Sequence, residues 1–257
     1  MRIIAITLTL AAVAFSQPDS HDARGQAAFA AGRLRSAKTS FERAVRSAEG
    51  RPDEQVAALT NLGQTLIALD ERAAAEEALR RGVNLSPESA RTWHLLGQLL
   101  YKKGSIREAE AVIRKALALA PSDPAIAAPC LSDLATLLMG GNRKREAAEM
   151  LEQAIQQAVP GQARARMLDN LGTLQWRLGR REQAAETLGR ALAEMEATVG
   201  PRHPDVARVL DDYSAVLAKT GRKVESRAMA IRASELKSVF GWQANAGGGT
   251  VDWRDIR

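Results

Sequence analysis

Cysteine occurs once in this sequence, histidine three times, and aromatic side chains make up only 4% of its 257 residues. A single cysteine, Cys130, permits no intramolecular disulfide and no paired-thiolate metal site, so stability has to come from packing. The three histidines, His21, His94 and His203, are scattered. There is no His-Glu-x-x-His, no metal-ligand cysteine pair and no nucleophile elbow, so nothing converges for catalysis. We therefore expect no catalytic residue, no metal site and no cofactor, and read the chain as a non-enzyme. With so few aromatics, and with alanine and leucine dominating an apolar content of 46%, a β-sandwich or barrel is disfavoured and helices packed through small side chains are favoured.

Charge clustered by sign is lacking too. The formal net charge is +6, but arginines and glutamates mix along stretches such as Glu71 to Arg81 and Arg180 to Glu186. That mixture reads as solvated helix surface rather than a nucleic-acid patch. The N-terminal apolar run, from Ile3 to Phe15, is too short to span a bilayer comfortably, which takes about 20 residues. Preceded by Arg2, and with small residues at Ala14 and Ser16 before Gln17, it reads as a secretory signal peptide over residues 1–16. The expected product is exported, periplasmic or secreted, with no stable membrane anchor. Asn84-Leu85-Ser86 matches the glycosylation triplet, a pattern short enough to arise by chance.

What is present is repetition. From Ala90 the chain reads Trp93, Leu96, Gly97, Leu100, Ala109, Ile113, Ala116, Pro121. From Val56, 34 residues earlier, it reads Leu59, Leu62, Gly63, Leu66, Ala75, Leu79, Gly82, Pro87 at matching offsets. The register extends to units starting at Pro18, Val56, Ala90, Ala128, Ala165 and Ala207. Position 8 holds Gly25, Gly63, Gly97, Ala135, Gly172 and Ser214, and position 20 holds Ala37, Ala75, Ala109, Ala147, Ala184 and Ser226. Small residues in both columns let two antiparallel helices approach closely. Position 15 holds Gly32, Asp70, Gly104, Asn142, Gly179 and Gly221, residues that tolerate the left-handed backbone used to end a helix. In the first unit His21 and Arg24 stand where packing residues belong, which suits a terminal helix with one face in water.

This pattern resembles the tetratricopeptide repeat (TPR). The resemblance implies an all-α solenoid of about six helix-turn-helix units, a right-handed superhelix with a concave groove, over residues 17–240. The last two units lie 42 residues apart, joined through Val199 to Asp205. That spacing is similar to the longer repeats of kinesin light chains, which carry the same His203-Pro204-Asp205 triplet in the connector. The triplet also occurs in chaperone J-domains, but here its plain physical reading is a turn in which Pro204 opens the next helix and Asp205 favours its N-terminus. The final helix is expected to run to about Phe240 as a cap. Residues 241–257, with Gly247-Gly248-Gly249 and Trp253, read as a flexible tail, with Trp253 a candidate anchor on the array.

At about 100° per residue, positions 4, 7, 8 and 11 share one stripe of the first helix of each unit, and positions 2, 5, 6, 9, 12 and 13 lie opposite. In TPR proteins the second stripe lines the groove. Carried over, it proposes Asn61 and Gln64; Arg91, His94, Gln98 and Tyr101; Asp133; Arg166, Asp169, Asn170, Trp176 and Arg177; and Arg208, Asp211 and Asp212. The carboxylate clamp of co-chaperone TPR domains does not carry over, because Asp22 and Gln26 stand at its lysine and asparagine positions and Leu95 at its arginine position. The function expected is a scaffold for a protein or peptide, with a self-assembling envelope module or an accessory subunit of an exported enzyme as alternatives.

Overall fold

The computed structural model describes residues 20–140 and 143–239. The expected signal peptide, Asn142, Phe240 and the 241–257 tail lie outside the described residues. Those described form twelve α-helices and no strand, in six antiparallel pairs that follow the repeat register. They divide into two compact units, one reaching to Pro87 and one beginning at Glu88.

The first unit holds α1 (His21–Ala30), α2 (Leu34–Ser47), α3 (Pro52–Ala68) and α4 (Arg72–Leu85). The second holds α5 (Ala90–Lys102), α6 (Ile106–Leu119), α7 (Pro124–Met139), α8 (Lys144–Gln157), α9 (Gln162–Arg177), α10 (Arg181–Val199), α11 (Pro204–Lys219) and α12 (Lys223–Val239). Odd-numbered helices are the first members of the pairs, and α3, α7, α9 and α11 begin ahead of the sequence register. Proline at the first turn of α3, α7 and α11 explains three of those early starts, since its fixed φ suits a helix N-terminus and its missing N–H is not needed there.

The turns behave as the sequence requires. Gly32, Asp70, Gly104, Gly179 and Gly221 all have positive φ, between 58° and 82°. At each the chain closes with a bond five residues back, from Arg33 N–H to the Ala28 carbonyl, Glu71 to Leu66, Ser105 to Leu100, Arg180 to Gln175 and Arg222 to Leu217. This is the Schellman closure, which satisfies carbonyls orphaned at a helix end. Asp70 is the one non-glycine residue among them.

In four of the pairs a glycine of the small column faces a single large partner. A Cβ added at Gly25 would meet Phe41 at 2.5 Å, at Gly63 Leu79 at 2.6 Å, at Gly97 Ile113 at 2.4 Å and at Gly172 Leu188 at 2.6 Å. Each partner stands 16 residues on and is buried, and Ala37, Ala75, Ala109, Ala147 and Ala184 at position 20 are fully buried beside them. Pairs then stack through shared cores. Leu131, Leu138, Leu151, Met167 and Leu171 join α7, α8 and α9. Leu168, Leu192, Met195, Val206, Leu210 and Leu236 join α9 to α12. The longer spacing before the last unit is taken up in α10, whose 19 residues end at Val199 and bury Met195 on its final turns. The thiol of Cys130 is fully buried and its pKa is pushed up to about 12, chiefly by burial, so it packs as a small apolar group.

Candidate partner-binding face

The fifteen proposed residues all lie on odd-numbered helices, and the structure separates those used in packing from those still open to solvent. In the first unit, the half-buried Asn61 of α3 donates its amide to Asp22 of α1 at 3.1 Å, and Gln64 is half-buried one turn on. In the second unit the same kind of link recurs. The Nε2 of His94 on α5 lies 2.7 Å from Asp133 Oδ2 on α7, and Gln98 donates to that oxygen at 2.8 Å. On α9, Arg166 donates at 2.7 Å to Asp205 at the start of α11, which also accepts from Gln162 at 2.6 Å. Arg208 on α11 donates to Asp169 on α9.

The stripe is thus not free of packing at every position. His94, Asp169 and Asp212 are buried, Asp169 to 1% exposure. The reason is that helical phase gives the direction of a side chain but not the distance to the next repeat. Adjacent first helices approach closely enough for positions 2, 5 and 6 to meet across the seam. The three arginines at position 2 of their units are likewise divided, because Arg91 is exposed while Arg166 and Arg208 face carboxylates. Arg208 is held above its ordinary pKa. Burial acts to lower it, and the carboxylates of Asp169, Asp212 and Asp205 outweigh that effect.

Gln98, Tyr101, Asp133, Asn170, Arg177 and Asp211 remain half-exposed. Tyr101 is kept protonated by burial and by the nearby Asp133 carboxylate, both of which raise its pKa. Trp176 packs against the core of Ala184, Ala185, Leu188, Val216 and Leu217, with the Arg181 guanidinium 5.8 Å from its ring centre. The buried position beside it is taken by Gln175. Asp211 accepts an ion pair from Lys237 of α12.

Two features fell outside the sequence register. Gln162 and Asp205 precede the unit starts and were not candidates, although Asp205 in the connector was a visible signal. His203 caps α11, its Nδ1 accepting from the Asp205 N–H at 3.1 Å, with Pro204 next in line, so the triplet acts as a helix start. The second feature is a shallow cavity of about 360 Å³ between α10, α11 and the turn into α12, lined by Glu182, Glu186, Gly189, Tyr213 and Arg222 among others.

These seams have a pH signature. Glu110, Glu194 and Asp205 are each pushed up by burial, yet Arg114 and Arg143, Arg164, and Arg166 respectively hold them below the ordinary carboxylate range. A depressed folded pKa contributes stability that is present above the unfolded value, about 4, and is lost as pH falls through the folded value. Melting temperature should therefore stay level from pH 8 to 6 and fall below about pH 4, with Asp205→Asn removing part of that fall. A melting temperature level down to pH 3 would count against these pairings.

Paired helices with glycine-closed turns, stacked through shared cores, define a helical-repeat scaffold. Family models described as Tetratricopeptide repeat match residues 163–238, and residues 23–81 and 60–124. The chain belongs to the tetratricopeptide-repeat family. Among solved structures it is similar to BtubC (BKLC) from P. vanneervenii, at TM-score 0.68 and 19% identity over 84% of this chain and 96% of that one. It is also similar to a putative kinesin light chain from Podosopora anserina with nearly identical TPR-like repeats, at 0.57 and 17% over 72% and 95%. A third is YrrB, a TPR protein with an unusual peptide-binding site, at 0.56 and 16% over 75% and 91%. No curated protein matches the chain. The repeats make it a protein-interaction scaffold.

Proposed function

We propose that the protein is an exported TPR scaffold that holds a protein or peptide along the first-helix face of the unit beginning at Glu88. The observation that carries this reading is the set of half-exposed groups, Gln98, Tyr101, Asn170 and Arg177, that remain on that face beside buried neighbours. They offer amide donors and acceptors, one cation and one aromatic surface, which suits an extended peptide presenting both backbone and side chains. YrrB, whose fold is similar, has a peptide-binding site. Charges of both signs on the face should make affinity weaken with salt without vanishing, since contacts to Tyr101 are apolar.

Export rests on the apolar run from Ile3 to Phe15 and the small residues before Gln17. The test is affinity capture from the envelope fraction of the source cells with the wild type and with Tyr101→Ala/Asn170→Ala/Arg177→Glu. A partner held by the wild type and lost from the variant, with circular dichroism unchanged, supports the face. Equal capture places binding elsewhere. N-terminal sequencing of the native protein, beginning at Gln17 for an exported chain and at Met1 for a retained one, decides the compartment separately.

A further inference from the structure

The repeat shows what closes the outer seam between one second helix and the next helix pair. Between α6 and the turn before α8, Arg143 at position 16 donates to Glu146 of its own repeat at 2.7 and 2.6 Å. Its Nη1 crosses the seam to Glu110, at position 21 of the preceding repeat, at 2.7 Å. Arg114, at position 25 beside Glu110, completes the closure by pairing with Glu110 and donating to Glu146 at 3.0 Å. Lys38 on α2 and Glu71 before α4 make the same link from position 21 to position 16, at 2.5 Å.

Between α10 and the turn before α12 this frame is emptied. Arg222 and Glu225 repeat Arg143 and Glu146, with Arg222 Nε donating to Glu225 at 2.8 Å, but position 21 is Ala185 and position 25 is Gly189. Neither the carboxylate nor the second guanidinium is supplied here, and the cavity of about 360 Å³ lies against these residues. Tyr213, at position 7 where four earlier repeats have leucine, holds its hydroxyl 3.3 Å from where a Cβ on Gly189 would stand, so it lines the cavity without filling it. The wall also changes sign. Positions 18 and 22 are Arg107 and Ala111 on α6 but Glu182 and Glu186 on α10. Both glutamates are exposed and line the cavity, and neither has an ion pair or hydrogen bond among the described residues. Like charges four residues apart weaken a helix, and so does a glycine within it. Two locally unfavourable choices therefore meet at one cavity, as happens where a surface is used.

We propose that this cavity receives an arginine side chain of a partner protein, its guanidinium between Glu182 and Glu186 and its plane against the Tyr213 ring, as Arg114 fills the seam between α6 and α8. Arg222 is already engaged by Glu225, so the open charge of the wall is negative and disfavours an anion. A planar guanidinium donates to two carboxylates at once and stacks on an aromatic ring, which the compact ammonium of lysine does less well. None of the fifteen residues of the partner-binding face is among those that line the cavity, so the two sites can fail separately.

The test is an NMR titration of the full chain with three blocked tripeptides, glycine-arginine-glycine and its lysine and citrulline counterparts, following the backbone amides of Gly189, Thr220 and Arg222. The arginine peptide should shift these amides saturably. The lysine peptide should bind at least about threefold more weakly, and the citrulline peptide, which keeps the shape and loses the charge, should shift none of them. E182Q/E186Q alters only exposed residues and should weaken the arginine peptide at least about fivefold, the loss expected for two exposed charge pairs. Gly189→Arg supplies the guanidinium from within the chain, as Arg114 does, and should abolish the shifts, whereas Gly189→Ala should keep them. The proposal is overturned by the absence of a saturable shift in the wild type, by equal binding of the lysine or citrulline peptide, or by binding unchanged in either E182Q/E186Q or Gly189→Arg. A dimer in sedimentation equilibrium that E182Q/E186Q abolishes also overturns it, because the arginine then comes from a second copy.

Discussion

Arg208→Glu is expected to destabilise the protein by on the order of 3–5 kcal/mol, a large part of the roughly 5–15 kcal/mol that holds a domain folded. The side chain of Arg208 is 19% exposed and its partner Asp169 1% exposed, with Asp212 and Asp205 acting on the same guanidinium. Reversal places a fourth carboxylate among three, in a setting that water screens poorly. Truncation to methionine should also be costly, because it leaves Asp169 buried without its cation. The paired change Asp169→Leu/Arg208→Leu should recover much of the loss, since a buried ion pair can often be replaced by apolar packing at little cost. Arg91→Glu, at the same position of an earlier repeat but exposed, should have a far smaller effect. Urea unfolding with comparison of midpoints and slopes measures all four. A reversal at Arg208 no more damaging than that at Arg91 would show that the seam between α9 and α11 is not built on this pair.

Gly97→Leu carries the second large effect, about 1–3 kcal/mol or more, because overpacking forces strained rotamers or backbone shifts. A Cβ alone at this position would sit 2.4 Å from Cγ1 of Ile113 and 3.5 Å from its backbone nitrogen. The near atom is on the first carbon beyond Cβ, so it cannot swing aside as the tip of a flexible chain could. Even Gly97→Ala should be felt. Ile113→Ala in the Gly97→Leu background should restore part of the stability by returning the volume, and a double-mutant cycle should report coupling between the two. A thermal melt of Gly97→Leu indistinguishable from wild type would mean that α5 and α6 do not meet at this point.

The fold of the described residues was legible where its causes are local. The glycines at positions 8 and 15 illustrate this, because each answers to a partner or a turn within the same helix pair. Gly63 needs room for Leu79, and Gly104 needs a positive φ. Repeat proteins interact mainly with near neighbours, so a periodic column in the sequence is already a statement about contacts. Asp70, where a non-glycine adopts the same backbone, was readable for the same reason.

The face was legible only in outline. Helical phase put His94, Asp169 and Arg208 on one stripe of their helices, but their use depends on how closely α5 approaches α7 and α9 approaches α11. That spacing is set by the summed packing of both helix pairs, not by any residue in the stripe. Gln162 and Asp205 escaped because the early helix starts carried them beyond the repeat register, where their hydrogen bonds with each other and with Arg166 became possible. By itself the sequence determined the period, the turns and the glycine contacts, all governed by dihedral preference and side-chain volume within one unit. Tertiary structure alone decided which polar groups are consumed between neighbouring helix pairs and which stay open to solvent, because desolvation and ion pairing depend on distances that no single helix contains.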